Sequence, residues 1–451
     1  MNKQLNAGNG KKILFASVPA DGHFNPLTGL AKHLQSLGYE VRWYTSSHYA
    51  PKLKKLGIPH YPFVKAMDVT ADTVDEIFPE RAKIKNKIKK LNYDFMNYFI
   101  LRAPEYYEDI KNIYKDFKFD LFVADVLFTG IPFVNDLMDI PVFSMGIVPL
   151  MQTSKDLPPA GLGLTPGTTW LSKVRDSILR FMAENILFSK SDKLMKKILD
   201  GYFIDHDNKF LFDLGINKAT YYLQSGTPGF EYKRSDMLEN IRFIGSLLPY
   251  SSNQNKEQWF DERLNQYKRV VLVTQGTVEK DINKLLIPTI EAFKHTDTLV
   301  VVTTGGSQTN ELRAKYPYSN IIIEDFIAFN DIMPYADVYV TNGGYGGVML
   351  AIENRVPMVA AGVHEGKNEI CARVGYFKIG IDLKTELPKA EQIRKAVDEV
   401  TGTDQYKINI QDLADEFQQY DANGLFANLV AEVLQPANDL SISNKYSEKI
   451  F

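Results

Sequence analysis

The sequence of 451 residues contains one cysteine, Cys371, so no internal disulfide can form and a disulfide-stapled secreted scaffold is excluded. It has no uninterrupted apolar run of about 18 residues, the length a membrane-spanning helix needs. Residues 1–9 are polar and hold no signal-peptide core. Neither sign of charge dominates. The net charge of −3 gives no expectation of nucleic acid or of an anionic membrane as a partner. Short-period repeats, heptads and low-complexity tracts are missing as well. A soluble, cytoplasmic protein is the expectation. Hydrophobic residues at 45% and charged residues at 24% describe ordinary globular material. The length exceeds what one core supports, so two domains of roughly 200 residues each are expected.

What the chain does have is a glycine cluster, Thr341-Asn342-Gly343-Gly344-Tyr345-Gly346-Gly347, between two contrasting patterns. Before it, Ala336-Asp337-Val338-Tyr339-Val340 reads as a buried strand, and after it Val348-Met349-Leu350-Ala351-Ile352-Glu353 opens a helix. Glycines at such a turn let the backbone approach a ligand and aim N–H groups and a helix N-terminus at an anion. A phosphate or diphosphate cradle is one reading, and a plain flexible turn is the other.

The rest of the chain repeats the strand–helix grammar twice. Lys12-Ile13-Leu14-Phe15-Ala16-Ser17-Val18 reads as a strand, residues 26–37 as a helix with Leu27, Leu30, Ala31 and Leu34 on one face, and Glu40-Val41-Arg42-Trp43-Tyr44-Thr45 as the next strand. Such a unit implies parallel pairing through a right-handed crossover. Strand patterns at 120–125 and 142–145 extend this series. A second series runs through 269–274, 298–303, 321–323, 336–340 and 356–361. Residues 150–215 are helical and aromatic, a lobe on the first domain, and 411–434 has helical periodicity. The expected division is an N-terminal domain at 11–246, a linker at 247–260, a C-terminal domain at 261–425, and a helix and tail at 426–451.

At this point several motifs fall in a telling order. Gly22-His23-Phe24-Asn25-Pro26 follows the first strand, Glu231-Tyr232 and Phe243-Ile244-Gly245-Ser246-Leu247 precede the linker, and Thr274-Gln275-Gly276-Thr277 opens the second series. Phe326-Ile327, Asp331-Ile332-Met333-Pro334, the glycine loop and Val356-Pro357-Met358-Val359 complete the set. Together they resemble the GT-B small-molecule glycosyltransferases, which move a sugar from a UDP- or TDP-sugar onto natural products. The resemblance spans nearly the whole chain. It implies an α/β GT-B fold, two doubly wound Rossmann-like domains facing across a cleft.

The resemblance implies His23 as general base and Asp125 as its partner, and the residue chemistry agrees. A neutral histidine at a strand end can take the proton of an attacking hydroxyl near pH 7. A carboxylate on the far ring nitrogen fixes the tautomer and stabilises the imidazolium. His23 also reads as a loop histidine against Pro26, and Asp125 as a helix N-cap. Nucleotide-sugar contacts are implied for Gly276, Thr277, Phe326, Ile327, Asn342, Gly343, Gly344, Gly346, Gly347, Glu365 and Lys367. Acceptor contacts are implied for Phe24, Phe95, Phe128 and Met145, whose aromatic and Met character suits a flat hydrophobic molecule such as a flavonoid or polyketide. The implied reaction inverts the anomeric carbon and needs no cofactor and no metal. Asp205-His206-Asp207 has a D-x-D spacing but lies in a polar turn, and is read as solvated surface.

Three departures bear on the donor. Many relatives have His where Asn342 stands, and Glu at the position of Leu350; Glu353 is a substitute or a surface charge. The sugar-reading Asp-Gln pair is replaced by His364-Glu365-Gly366-Lys367-Asn368-Glu369, similar to a bacterial subgroup with E-x-K-x-E. UDP-glucose and TDP-rhamnose are therefore both expected donors, with the oligomeric state open. Other readings are a nucleotide-sugar epimerase, a lipid-linked transferase for which the basic run 81–90 speaks mildly, or a non-catalytic nucleotide-sugar binder.

Overall fold

The computed structural model describes residues 8, 10–70, 72–251, 258–276, 279–364 and 366–434. A first sheet is built from β1 (Lys12–Ala16), β2 (Glu40–Thr45), β3 (His60–Pro62), β4 (Leu121–Asp125), β5 (Val142–Gly146), β6 (Tyr221–Gln224) and β7 (Ile241–Phe243). Its strand order is β3-β2-β1-β4-β5-β6-β7, and neighbouring strands pair in parallel. A second parallel sheet follows from β8 (Arg269–Thr274), β9 (Thr298–Thr303), β10 (Ile321–Glu324), β11 (Val338–Thr341), β12 (Met358–Ala360) and β13 (Gly380–Asp382), in the order β10-β9-β8-β11-β12-β13. Such sheets are covered on both faces, so their strands are β-branched and apolar throughout. Every residue of β4 and β9 is buried.

Helices important to the site are α1 (Asp21–Phe24), α2 (Thr28–Ser36), α3 (Lys87–Asp94), α4 (Trp170–Met182) and α5 (Ser189–Gly201) in the first half. The second half supplies α6 (Tyr345–Glu353), α7 (Lys367–Tyr376), α8 (Asp404–Phe417) and α9 (Ala422–Leu434). The helix expected over 26–37 is instead α1, a 3₁₀ turn at Asn25–Leu27, and α2. His23 therefore sits on a helical turn rather than in a loop. Strands β3, β6, β7 and β13 were not expected; each has only three or four residues, too few for a period-2 pattern to show.

The helical lobe packs on the first domain. Met195 and Leu199 of α5 share a buried cluster with Ile100 and Phe133. Asn92 of α3 donates its amide to the Leu187 carbonyl at 2.7 Å and accepts from Ser191 at 2.9 Å. The helical pattern over 411–434 resolves into parts of α8 and the whole of α9, which go to different places. Phe417 of α8 is buried with Tyr339 of the second sheet and Met349 of α6. Phe426 and Val430 of α9 are buried against the first sheet, beside Phe15 and Phe143. Where the chain crosses back, Gly245 and Tyr420 lie in contact, so close that a Cβ on Gly245 would fall 2.8 Å from that of Tyr420.

Candidate active site

In each sheet the strand order reverses at one point, between β1 and β4 in the first and between β8 and β11 in the second. Loops leaving the carboxyl ends of such strands diverge and open a crevice, the usual ligand site of an open α/β sheet. The two motif groups of the sequence fall at these two crevices. After β1 the chain turns through Ala20 into α1, which raises His23 over the sheet edge. Asp125 is the last residue of β4 and is fully buried.

The two side chains meet. His23 Nδ1 lies 2.9 Å from Asp125 Oδ1. The same oxygen accepts the Leu127 N–H at 3.0 Å, and Oδ2 accepts the Val18 N–H at 2.8 Å. Both carboxylate oxygens are thus hydrogen-bonded, as a fully buried polar group requires. A carboxylate only accepts, so Nδ1 carries the ring proton and Nε2 is left with a lone pair. The His23 side chain retains 15% of its exposure. The pair thus has the geometry of a general base oriented by an acid. Asp125 is not a helix N-cap: the next helix runs Ile131–Met138 with Gly130 at its cap, and the carboxylate instead closes a turn at Leu127.

The wall beyond Asp125 continues into an apolar pocket open to solvent. Val126, Leu127, Phe128 and Thr129 form one side, with Phe95, Phe99, Met151 and Phe212 among the others. Of the four expected acceptor residues, Phe95 and Phe128 line this space. Phe24 and Met145 do not. Phe24 is buried, stacked on Tyr49 at 4.3 Å and tilted against Trp43 at 4.6 Å. One residue along a helix turns the side chain by about 100°, so the neighbour of an outward His23 points into the core. Met145 is fully buried in the cluster that also holds Phe426, on the face of the sheet covered by α9.

On the other side, the loops after β8 and β11 use the same device. The Thr274 hydroxyl accepts the Gly276 N–H at 3.3 Å, and the Thr341 hydroxyl accepts the Gly343 N–H at 3.2 Å. Both glycines have positive φ, +75° and +81°. Asn342 Nδ2 donates to the Gln275 carbonyl at 2.5 Å, so this side chain ties the two loops together. Gly344 caps α6, whose N-terminus faces the loop, and Gly346 is exposed with open space around its Cα. Gly347 serves packing, since a Cβ there would fall 2.9 Å from the Tyr339 hydroxyl. Lys367 is the first residue of α7 and lines a cleft of about 260 Å³ with Asn342, Gln275 and Gly362. Phe326 is exposed at the end of β10, while the Ile327 side chain is buried in the core, which leaves its backbone for a ligand. Thr277 and Glu365 lie outside the described residues.

Several residues that bridge the domains had no signal in the sequence. Tyr345, between the glycines, donates its hydroxyl to the Ser225 carbonyl at 2.7 Å and accepts from Gln224 at 3.2 Å, so the first residue of α6 is anchored in the N-terminal domain. Arg373 of α7 is buried and donates to Glu231 at 2.6 Å and to Glu369 at 3.0 Å, with its guanidinium 4.2 Å from the Tyr232 ring centre. Burial lowers the Arg373 pKa, but Glu231, Tyr232 and Glu369 outweigh it and raise the value above the ordinary one. Glu369, the last residue of the E-x-K-x-E segment, accepts the N–H groups of Gly161 and Gly163 at 2.9 and 2.7 Å. Glu353 is half-buried at the far end of α6, and burial pushes its carboxyl up. Asp205 accepts the Asp207 N–H within its own exposed turn at 2.8 Å. Among the described residues no three His, Cys, Asp or Glu side chains are grouped to hold a metal ion.

Residues 115–419 match the family described as "UDP-glucoronosyl and UDP-glucosyl transferase", a span that takes in Asp125 and both donor-side loops. The chain belongs to this family. Among the relatives of this family member is 4'-demethylrebeccamycin synthase of Lentzea aerocolonigenes, 33% identical over 414 residues, which cover 92% of this chain and 97% of the relative. UDP-glucosyltransferase 1 of Beauveria bassiana is 30% identical over 433 residues, 89% of this chain and 91% of that one. In fold the glycosyltransferase is similar to CalG4, the calicheamicin glycosyltransferase, with a TM-score of 0.74 at 17% identity over 95% of this chain and 99% of that chain. The architecture is GT-B. As a glycosyltransferase of this family the protein takes its sugar from a nucleotide donor.

Proposed function

We propose that the protein is an inverting, metal-independent O-glycosyltransferase that moves a hexose from a nucleoside diphosphate sugar to a hydroxyl of a hydrophobic small molecule. The observation that carries this reading is the His23 and Asp125 pair at 2.9 Å on the switch point of one sheet, beside an apolar cavity. The acceptor O–H gives its proton to His23 Nε2 as its oxygen bonds the anomeric carbon. The bond from that carbon to the diphosphate breaks on the opposite face, which inverts the centre. Asp125 stabilises the imidazolium during this step.

The departing diphosphate gains charge without being protonated. We assign that charge to the N–H groups at the N-terminus of α6, its dipole and the Lys367 ammonium, so the reading invokes no metal. UDP-glucose is the favoured donor, because the Beauveria bassiana relative is named as a UDP-glucosyltransferase. A hydrophobic polycyclic acceptor agrees with the aromatic lining at Phe95, Phe128 and Phe212.

The test incubates purified protein with UDP-glucose, TDP-rhamnose and other nucleotide sugars, a panel of phenolic acceptors, and EDTA. Mass spectrometry reads the added sugar and NMR the anomeric configuration. A hexose on the acceptor with inverted configuration and undiminished yield in EDTA is expected. Retained configuration or loss of yield in EDTA overturns the mechanism. Nucleotide-sugar isomers formed without acceptor overturn the transfer reading in favour of epimerisation.

A further inference from the structure

Helix α4 has two unlike sides. Inward, Asp176 is buried, as is Ala183 just beyond its end. Outward, Trp170 is 71% exposed, Phe181 62% and Ile178 55%, with Val174 and Leu171 also exposed. At 3.6 residues per turn these positions share an arc of about 100°. The apolar face does not stop there. Ile186 follows it in the next turn, and α3, hydrogen-bonded to that turn through Asn92 and Leu187, adds exposed Ile88 and Leu91. Soluble monomers seldom leave a contiguous apolar face of this size open to water.

Basic residues are in excess around the face, even with Arg175 paired to Asp176 at 2.6 Å. Lys173 and Arg175 flank the apolar arc on its two sides, Lys89 stands on α3, and Lys190 and Lys193 are exposed on α5. Residues 170–201 contain seven Lys or Arg against four Asp or Glu, a local excess of +3 in a chain whose net charge is −3. The whole-chain figure averages this patch away, which is why no membrane partner was expected from composition.

We propose that α4, with the adjoining turn and α3, docks this face onto the surface of an anionic lipid bilayer. An amphipathic helix with Trp, Ile and Phe on one side and basic residues at its margins lies in the plane of the interface, apolar side chains among the upper acyl chains and cations among the headgroups. A second copy of the chain is a poorer occupant. A two-fold interface sets the same patch against itself, so the flanking cations would face cations. Among the described residues no helix is long and apolar enough to cross a membrane, so the contact is one of lying on the surface. The inference does not depend on the transfer reaction.

The experiment sediments the full-length protein with vesicles of phosphatidylcholine alone and of phosphatidylcholine with phosphatidylglycerol. Binding to the anionic vesicles, little binding to the neutral ones, and release by salt are expected. Trp170→Ser with Phe181→Ser should lose at least about tenfold in vesicle affinity. Lys173→Gln with Lys193→Gln should lose roughly fivefold per cation removed. Both variants should keep the wild-type melting temperature and wild-type transfer to a water-soluble acceptor, since none of these residues touches the His23 pair or the glycine loop. Absence of sedimentation with either vesicle, or equal binding to both, overturns the proposal. A dimer in light scattering that the Trp170→Ser, Phe181→Ser variant turns into a monomer also overturns it, and assigns the face to a second copy.

Discussion

Replacing Asp125 by Asn tests the active-site reading at its tightest point, because the carboxylate has three donors and an amide can satisfy only part of them. If the Asn oxygen stays on His23 and Leu127, the NH₂ group meets the Val18 N–H, now 2.8 Å from an acceptor oxygen. A buried, charge-assisted bond is lost and a donor is left facing a donor, a cost of about 1.5–3 kcal/mol in stability. If the amide turns the other way, its NH₂ meets Nδ1 of His23 and forces the ring proton onto Nε2. The imidazole then cannot accept a proton from the acceptor. Either orientation leaves a backbone N–H, that of Val18 or of Leu127, facing the NH₂ group; the second also disables the base, and loss of the negative charge removes imidazolium stabilisation in both. A fall in turnover of roughly 10²–10⁴-fold is expected. His23→Ala should fall by a similar factor while both backbone donors remain on Asp125, so its urea midpoint should move little. In the double variant the two rate losses should overlap rather than multiply, as for groups that act as one unit. The assay is initial rate against a series of phenols of graded acidity, with nucleoside diphosphate affinity measured by calorimetry. The most acidic phenols should recover part of the lost rate. Turnover of His23→Ala within a few-fold of wild type on an ordinary phenol, or fully multiplicative losses, refutes the reasoning.

Other outcomes follow from the donor side. Gly343→Ala should lose stability by about 1–3 kcal/mol, since φ is +81° and the new Cβ would fall 2.5 Å from Cys371 Sγ; adding Cys371→Ala should restore only the packing share in urea unfolding. Arg373→Ala leaves Glu231 and Glu369 buried without their shared partner, so a loss of about 3–5 kcal/mol is expected, and an unchanged melting midpoint would remove Arg373 from the domain contact. Burial pushes the Cys371 thiol up to about 12 from an ordinary 9.0, so the folded state keeps this proton longer than the unfolded one. Its contribution is complete below pH 9 and is lost as pH rises toward about 12, by up to about 1.4 kcal/mol per pH unit, which a flatter alkaline slope of stability in Cys371→Ala would reveal. Lys367→Ala should weaken the bare nucleoside diphosphate by about 1.5–3 kcal/mol; a change in donor preference alone would instead assign Lys367 to the sugar.

The strand and helix grammar of both domains was legible because parallel strands are continuous apolar runs and their crossovers carry a different period. Asp125 read as a strand end and His23 as lying just past one, while their pairing is what the motif resemblance implied. What sequence cannot carry is direction. Phe24 and His23 are adjacent in the chain, yet one turns into the core and the other toward the crevice. Met145 alternates correctly along β5, but nothing in β5 says that α9 covers its side of the sheet. Tyr345 read as part of a glycine loop, while its hydroxyl reaches a carbonyl 120 residues earlier. Glu369 read only as the end of the E-x-K-x-E segment, and its carboxylate accepts from Gly161 and Gly163, about 200 residues earlier. Partners so distant in sequence leave no local pattern. Short edge strands such as β3 and β13 escape because three residues hold barely more than one two-residue repeat, too little to stand out from chance.

The return of α9 to the first sheet makes the C-terminal domain an insertion within the N-terminal one. The chain leaves once before β8 and comes back once before α9, and the contact of Gly245 with Tyr420 sets the outgoing and returning strands side by side. Two crossings at one spot act as a single hinge. Rotation about it would strain few backbone dihedrals but would break the Tyr345 and Arg373 bridges between the domains. The same geometry makes the inserted domain a cassette whose two ends meet. Another donor-binding domain with equally close ends can be joined at these junctions without disturbing the first sheet, its covering helix α9, or the base and its acid.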